Sequence, residues 1–451
     1  MAKKTRSTRV ADSSRTSRGR VSVVSALLFL CAARLTAAGP FAYVADGGFG
    51  TVSVIDIETN AVIATISLPA GTQPGQLAVS PDGTRVYVST GNALAVIDTA
   101  TNSVVVPSIP VGLGTRSVAI SPDGRFAYVA VQFEGRVTIV DTTTNAVVAT
   151  VNTGGQPTGL KMTPDGSRVY VANSLSGTVS VIDAITETII ATIPVEYNPQ
   201  DLEMSPDGTR VYVSNFSAAS VSVIDTGSNM VVATISVGFV PSGMDTTPTG
   251  GRLYVVDNGS VAVIDTATNT LSGRVTLPPF HTSRDVAIAP DGTRGYVTIN
   301  TPPRVLVFET ASNTVVGDPI LIENGIPEGI AITTARDRIA VTLDIKPRDI
   351  TNSVNPRSSG VIPVAILTTG AFDATAVDPL TVRFGQQGTP EAHGRGHLED
   401  VNGDGRLDLV LHFRTDKSGI ECGDGNAKLT GATVTGSLIE GQDLLLTVGC
   451  R

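Results

Sequence analysis

The chain has 451 residues, a formal net charge of −9, 41% hydrophobic residues and only 4% aromatic residues, with no tryptophan. Val, Ile and Thr are abundant, and 46 Gly and 26 Pro punctuate the sequence, which favours short strands and turns over helices. The excess of acidic residues argues against nucleic acid and anionic membranes as partners. The composition therefore predicts an all-β protein that binds neither.

Residues 1–38 have the pattern of a secretory signal peptide. A basic segment precedes an apolar run from Val21 to Ala33, and Thr36-Ala37-Ala38 supplies small residues for cleavage. The apolar run is too short to span a bilayer, so we expect no membrane span. Cleavage after Ala38 would leave 24 basic and 40 acidic residues, a net charge of −16. We expect export to the periplasm, the cell surface or the medium.

A repeat of about 42 residues fills residues 39–338. Seven of the eight tyrosines mark its copies, and Tyr197 alone lies out of register. The marking residues are Tyr43, Tyr87, Tyr128, Tyr170, Tyr212, Tyr254 and Tyr296. Each begins a Tyr-Val strand, which is followed by a Val-Ile-Asp-like strand, a further apolar strand and a fourth strand that ends at a turn such as Pro81-Asp82-Gly83. Four strands per copy predict the blade of a seven-bladed β-propeller.

Strand counting predicts how the ring closes. We name the strands of a blade a to d from the inside outwards. The repeat region begins directly at a b strand, Phe41 to Ala45, and ends with an unpaired a-like segment at residues 329–333. This late segment is predicted to complete the first blade, a 1+3 closure that satisfies the exposed edge.

The repeats resemble the YVTN family of β-propellers. Tyr170-Val-Ala-Asn173, Thr178-Val-Ser-Val-Ile-Asp183 and Tyr212-Val-Ser-Asn215 carry the resemblance, together with the Ser-Pro-Asp-Gly-Thr-Arg segments. It covers residues 40 to about 338 and implies an exported or surface scaffold that binds something. It implies no particular ligand or reaction.

The repeats also separate two faces of the disc. The a–b turns (Pro-Asp-Gly) and the c–d turns (Asp-Thr-x-x-Asn) recur, so we interpret this face as structural. The b–c and d–a loops differ between copies and form a variable-loop face, where binding residues are expected. Candidate ligand-binding residues on it are Arg116, Tyr197, Gln200, Asp201, Phe216, Asp257, Phe280, His281, Arg284, Asp285 and Glu328.

Residues 339–451 have another pattern, and we expect a small β-sandwich domain. Predicted strands are residues 339–345, 360–367, 380–384, 407–413 and 444–448. The segments Leu343-Asp-Ile-Lys-Pro347 and Gly360 to Leu367 resemble a C-terminal module of exported bacterial proteins. Cys422 and Cys450 are predicted to form a disulfide that closes a loop of about 28 residues; the alternative is two buried thiols.

One loop of this domain predicts a calcium site. Asp400, Asn402, Asp404 and Asp408 alternate with glycines, and the Arg406 carbonyl would be a fifth oxygen ligand. Leu411 replaces the acid of a full EF-hand at position 12, so the loop more closely resembles the shorter calcium loops of FG-GAP repeats and dockerins. A structural Ca²⁺ is therefore the predicted cofactor. The alternative is a polar turn that holds no ion.

Zinc is a weaker hypothesis for the same domain. His393, His397 and His412 are the candidate ligands. However, a Gly-rich segment is a poor helix former, so a helix would not place His393 and His397 on one face. Moreover, we expect no cysteine or acid at ligand spacing beside them.

The sequence predicts an exported, non-catalytic binding scaffold, monomeric, whose partner is a protein, a glycan or a small molecule. It contains no GxSxG, HExxH or phosphate-binding glycine loop. Because some propellers are enzymes, a lactonase-like hydrolase or lyase at the central funnel is the first alternative, and a cell-surface adhesion role is the second.

Overall fold

The computed structural model describes residues 36–38, 40–279, 282–322, 325–334, 336–349, 351–385, 388–434 and 438–450. Strands form the regular structure of these residues, apart from three single-turn 3₁₀ helices at Gln132–Glu134, Ala374–Ala376 and Thr415–Lys417. None of the helices within these ranges is long and apolar enough to cross a membrane. The predicted signal peptide lies outside the described residues, except for a short strand at Thr36–Ala38.

Seven four-stranded antiparallel sheets form the seven predicted blades. Strands a to d of blade 2 are Leu77–Val79, Arg85–Ser89, Ala93–Asp98 and Ser103–Pro110. Those of blade 3 are Thr115–Ile120, Phe126–Val131, Arg136–Asp141 and Ala146–Asn152. Those of blade 4 are Pro157–Met162, Arg168–Asn173, Thr178–Asp183 and Thr188–Pro194.

The remaining blades have the same order. Blade 5 consists of Pro199–Met204, Arg210–Asn215, Ser220–Asp225 and Met230–Ser236. Blade 6 consists of Met244–Thr246, Arg252–Asp257, Ser260–Asp265 and Thr270–Thr276. Blade 7 consists of Ser283–Ile288, Arg294–Asn300, Pro303–Glu309 and Thr314–Leu321.

Blade 1 closes the ring as predicted. Its strand a is the late segment Pro327–Ile332, which pairs antiparallel with Phe41–Asp46. Its other strands are Thr51–Asp56 and Ala61–Ser67. Three early strands and one late strand thus share one sheet, and the seven-bladed all-β fold is confirmed.

The marking tyrosines connect neighbouring blades. Tyr170 is fully buried, and its hydroxyl donates a hydrogen bond to Asn229 Oδ1 of the next blade at 2.8 Å. Tyr296 of blade 7 makes the equivalent bond to Asn60 of blade 1 at 3.1 Å, across the closure. Both asparagines have a positive φ, which Asn tolerates better than most residues. The recurrence of Tyr and Asn in the sequence therefore reflects this contact between blades.

The recurring turns are connected within each blade. Thr99, which follows the Asp of a c–d turn, donates its hydroxyl hydrogen bond to the carbonyl of Gly83 in the a–b turn at 2.7 Å. Thr142 and Thr226 repeat this bond to Gly124 and Gly208. These hydrogen bonds are consistent with a structural role for the repeated face.

The C-terminal residues form two sheets around one core. The strand order of the first is Thr36–Ala38, Arg336–Ala340, Leu438–Leu444, Asn426–Thr433, Val377–Phe384 and Thr389–Pro390. That of the second is Thr342–Ile345, Val361–Leu367, Asp408–Arg414 and His397–Glu399. Ser353–Val354 pairs with Leu446–Thr447.

Buried apolar side chains from both sheets, such as Val364, Leu411, Phe384 and Leu429, share a single cluster. The strands Asn426–Thr433 and Leu438–Leu444 were not expected from the sequence, because their Gly and Thr content obscures the pattern of alternation. Cys422 and Cys450 form the predicted disulfide, with Cα atoms 5.7 Å apart.

Candidate ligand site

The innermost strands of all seven blades surround a central cavity of about 330 Å³. In four blades the residue three positions before the a–b turn, or its equivalent in blade 1, is alanine; these residues are Ala78, Ala119, Ala287 and Ala331. In the three consecutive blades 4, 5 and 6 this position is occupied by Lys161, Glu203 and Asp245. Three consecutive blades therefore carry charged side chains on one side of the central cavity, which we call the channel.

Two further carboxylates lie two residues earlier in their strands. Asp201 and Asp285 line the same cavity as Lys161 and Asp245. Alternate residues of a strand face the same side, so Asp201 and Glu203 point to one side of blade 5. These two aspartates lie nearer to the variable-loop face. We call these five residues (Lys161, Asp201, Glu203, Asp245 and Asp285) the channel cluster.

The aspartates of the channel cluster are held by neighbouring blades. Asp201 Oδ2 accepts a hydrogen bond from the backbone N–H of Met244 at 3.3 Å, and Asp285 Oδ2 accepts one from Ile330 at 3.1 Å. Asp245 Oδ2 likewise accepts one from Ile288 at 2.6 Å. Each carboxylate thus reaches the next strand a around the ring.

Glycines leave room for these carboxylates. A Cβ atom on Gly159 would lie 2.7 Å from Asp201 Cα, and one on Gly243 would lie 2.7 Å from Asp285 Cα. Such distances are too short for carbon atoms in contact. Gly and Asp therefore occupy adjacent blades as complementary residues.

The channel cluster combines four carboxyl groups with one ammonium group. Lys161 Nζ lies 2.6 Å from Glu203 Oε2. Although burial lowers the pKa of Lys161, the charges of Glu203, Asp201 and Asp245 outweigh it, so its pKa is raised and the amine stays protonated. One positive charge cannot balance four carboxylates, and the cluster retains an excess of negative charge when they ionise.

Burial and nearby negative charge raise the pKa values of the three aspartates, so that they retain protons at a higher pH than usual. Burial raises the pKa of Asp201 to about 6, with Lys161 opposing the shift. Burial, and then the charge of Asp201, raises the pKa of Asp285 to about 7. Burial and the charge of Glu203 raise the pKa of Asp245 to about 8. Carboxyl groups that titrate near neutrality in a cavity are candidates for binding cations or for proton transfer.

The other candidate residues do not join the cluster. Arg116 donates from Nε to Gln132 Oε1 at 2.8 Å, and Tyr197 is 66% exposed. Arg284 Nε lies 3.6 Å from Glu328 Oε2, whereas Asp285 next to it is buried in the channel. Consecutive strand residues face opposite sides, which separates these two. Phe280 and His281 lie outside the described residues.

Asp257, another candidate, has a structural position. Its Oδ1 accepts hydrogen bonds from the backbone N–H and the hydroxyl of Ser260, at 3.0 and 2.6 Å, and Arg274 pairs with its Oδ2. Asn173 and Asn215 occupy the same place in their blades and donate to Ser and Thr hydroxyls. The residue at this position therefore stabilises the b–c hairpin through side-chain hydrogen bonds to strand c.

Asp201 and Asp285 were selected from the sequence as ligand-binding candidates, which stays a prediction, whereas Lys161, Glu203 and Asp245 were not selected. The signal was present, because aligning the copies on the Pro of the a–b turn shows three charges where other copies have Ala. These three residues lie inside strands rather than in the variable loops, where binding residues were expected.

The predicted calcium loop is a network of backbone hydrogen bonds. Asp400 accepts from the N–H groups of Gly403, Asp404 and Gly405 at 2.7, 3.1 and 2.9 Å. Gly403 and Gly405 have positive φ values of 76° and 82°. Asn402 and Asp404 accept from Asp404 and Arg406 N–H groups, both at 2.9 Å.

Asp408 ends the loop and is fully buried. It accepts from Thr368 and Val401 N–H groups at 2.8 and 3.1 Å, so it ties the loop to the neighbouring strand. Calcium binding by Asp400, Asn402, Asp404, Arg406 and Asp408 stays a prediction.

Comparison with known protein families matches residues 32–189 to the lactonase family of seven-bladed β-propellers. The match covers about a third of the chain. None of the curated proteins compared with the sequence matches it.

Two solved structures with TM-scores above 0.5 share the fold. A functionally unknown protein from Desulfotomaculum acetoxidans DSM 771 is 19% identical, with a TM-score of 0.58 over 66% of this chain and 99% of that chain. The dihydro-heme d1 dehydrogenase NirN is 17% identical, with a TM-score of 0.51 over 64% and 74%. Hydrazine synthase from Kuenenia stuttgartiensis is 25% identical, with a TM-score of 0.49 over 52% and 76%. The chain is a seven-bladed β-propeller protein with a C-terminal β domain, and part of it is similar to lactonase propellers.

Proposed function

We propose that the protein is an exported binding module whose ligand docks on the variable-loop face and places a cationic group at the mouth of the channel. The channel cluster carries this proposal. Its Glu203 and Asp245 stand where four other blades have alanine, Asp285 is buried, Asp201 and Asp245 are half-buried, and Lys161 offsets only one charge. A ligand ammonium or guanidinium group would neutralise the negative charge of the carboxylates that Lys161 leaves unbalanced.

Exposed apolar side chains on the same face support a protein or peptide ligand. They lie in the b–c and d–a loops and are Phe49, Leu113, Phe133, Leu175, Tyr197 and Phe239. Exposed aromatic and aliphatic groups mark interaction surfaces when they collect on one side of a protein. In the turns of the repeated face, the described large apolar side chain of comparable exposure is Ile185, in the c–d turn of blade 4.

The ligand is therefore proposed to be a peptide segment of a partner protein, with a Lys or Arg side chain flanked by apolar residues. The basic group enters the channel and the flanking residues cover the apolar loops. Electrostatic attraction would make the association weaken with salt.

A peptide-display selection on the mature protein tests this. Basic residues should be enriched in the selected peptides, and the Kd of a selected peptide should rise at least about 10-fold in the double variant Asp201→Asn/Asp285→Asn. Phe133→Ser should also weaken binding, because it removes an exposed aromatic contact.

Ile185→Ser on the repeated face is the matched control and should leave the Kd unchanged. Circular dichroism should verify that each variant is folded. Selected peptides without basic residues, or equal binding by the Asp201→Asn/Asp285→Asn variant, would overturn the proposal.

Lactone hydrolysis is a second candidate function. Two observations favour it: the similarity of residues 32–189 to lactonase propellers, and the buried Asp285, whose raised pKa of about 7 suits a general acid or base. It ranks second because the matched segment contributes only Lys161 to the channel cluster. A pH-stat assay with γ- and δ-lactones tests it; turnover lost in Asp285→Asn but kept in Tyr197→Phe would establish an enzyme.

We also propose a structural Ca²⁺ bound by the loop Asp400 to Asp408. The donor set of carboxylate, amide and carbonyl oxygens is the kind that Ca²⁺ prefers. The two glycines with positive φ give the loop its tight curvature.

A further inference from the structure

Three of the four histidines in the chain lie close together. His397 and His412 belong to the second C-terminal sheet, and His393 lies in the turn before its edge strand His397–Glu399. His397 pairs with Val410 on the neighbouring strand, and His412 is two residues further along that strand. Alternate residues share a face, so His397 and His412 lie on the same side of the sheet. Their ring centroids are 5.6 Å apart, and that of His393 is 5.7 Å from that of His412.

A buried carboxylate lies beneath these rings. The Glu391 side chain is only 1% exposed. It accepts hydrogen bonds from the backbone N–H groups of His393, Arg395 and His412 at 2.6, 3.0 and 3.2 Å. Its Oε1 is also 3.4 Å from His393 Nδ1. Three backbone donors thus fix its orientation, and a carboxylate with about four acceptor sites retains capacity for a further partner.

One ligand atom each from Glu391, His393 and His412 lies within 4.8 Å of the other two. Across the described ranges, this is the one place where three such histidine, cysteine or acidic side chains gather so closely. As expected, the Gly-rich segment forms no helix, and strand pairing instead brings His397 and His412 together. The expectation of no acid beside the histidines was wrong, because Glu391 lies next to His393 and His412.

We propose that Glu391, His393, His397 and His412 bind a divalent transition-metal ion of the zinc class. Imidazole nitrogens with one carboxylate oxygen suit Zn²⁺ and its neighbours, whereas Ca²⁺ and Mg²⁺ prefer oxygen alone. Zn–N bonds of about 2.0–2.1 Å require the donors to move closer together. The side chains of His393 and His397 are 59% and 53% exposed, so they are free to rotate towards an ion held over Glu391.

Cobalt is the probe that tests this site. Untagged mature protein, stripped with chelator and then supplied with Ca²⁺ to occupy the oxygen-rich loop, is titrated with Co²⁺ and followed by visible absorption. We expect one equivalent to bind with the intense absorption of tetrahedral coordination, and Zn²⁺ to displace it. His412→Ala and His393→Ala should each weaken binding by at least about 10-fold.

His281→Ala removes the fourth histidine and serves as the matched control, which should bind Co²⁺ as the wild type does. The exposed His393 provides a variant that leaves the core intact should His412→Ala fail to fold. No saturable Co²⁺ binding, or equal affinity in the wild type and in His393→Ala, would overturn the proposal. Loss of binding in Asp404→Asn but not in His393→Ala would assign the ion to the oxygen-rich loop and would also overturn it.

Discussion

The propeller and the C-terminal domain are stabilised in different ways. In the propeller, one set of contacts recurs from blade to blade, such as the tyrosine hydroxyl that reaches an asparagine of the next blade. In the C-terminal domain each contact occurs once, and a disulfide closes its end. Repetition therefore acts as an internal control, because a residue that departs from the repeat, such as Asp245, stands out. The C-terminal domain offers no such control, and its sites emerge only from tertiary contacts.

The largest effect is expected from a substitution that removes a contact repeated between blades. Tyr170→Ala should destabilise the propeller by about 3–5 kcal/mol because it empties a fully buried position, and Tyr170→Phe by about 1 kcal/mol through loss of the bond to Asn229. Urea unfolding followed by circular dichroism measures both. Tyr197→Ala, at the exposed tyrosine out of register, should stay within about 0.5 kcal/mol of the wild type; an equal loss there would contradict a special role for the repeat.

Removal of the disulfide tests the non-repeated domain. Cys422→Ser/Cys450→Ser should lower the unfolding free energy of the C-terminal domain by about 3 kcal/mol, since a loop of 28 residues is released in the unfolded state. Chemical denaturation with and without reductant measures this. Reduction should reproduce the effect in the wild type and add nothing in the double variant, and a wild type insensitive to reductant would contradict it.

The channel cluster should make stability depend on pH. The pKa of Asp245 is raised from 3.8 to about 8 on folding, so its contribution is present below pH 4 and is lost as pH rises towards 8. The melting temperature of the wild type should therefore fall between pH 5 and pH 8.5. Asp245→Asn should reduce this fall by ~2 °C or more. Glu58→Gln, on the repeated face, is the control, and an unchanged pH profile in Asp245→Asn would argue against the raised pKa.

The smallest effect concerns the calcium loop. Asp404→Ala should lower the melting temperature in Ca²⁺ but not in chelator, because the weak affinity of extracellular sites, about 10⁻⁴–10⁻³ M, provides little stabilisation at millimolar Ca²⁺. Scanning calorimetry in both buffers measures this. Equal lowering in both would show a polar turn without an ion.

The sequence alone determined the architecture of the propeller. Period, turn chemistry and strand alternation are local properties that recur in every copy, so Tyr43 to Tyr296 marked the blades, and the strand count predicted that Pro327–Ile332 would complete blade 1. Asp201 and Asp285 were also selected, although as loop residues rather than as part of the channel. The cysteine pair was predictable because only two remain after residue 38.

Only the tertiary structure decided which side chains meet. Lys161, Glu203 and Asp245 are about 42 residues apart in sequence, and they converge because ring closure brings their strands around one axis. Glu391 and His412 meet through a pairing between strands that the spacing of residues does not reveal. Local patterns specify strands and turns, whereas the proximity of distant charges depends on how the strands pack, and this is why the candidate sites needed the fold.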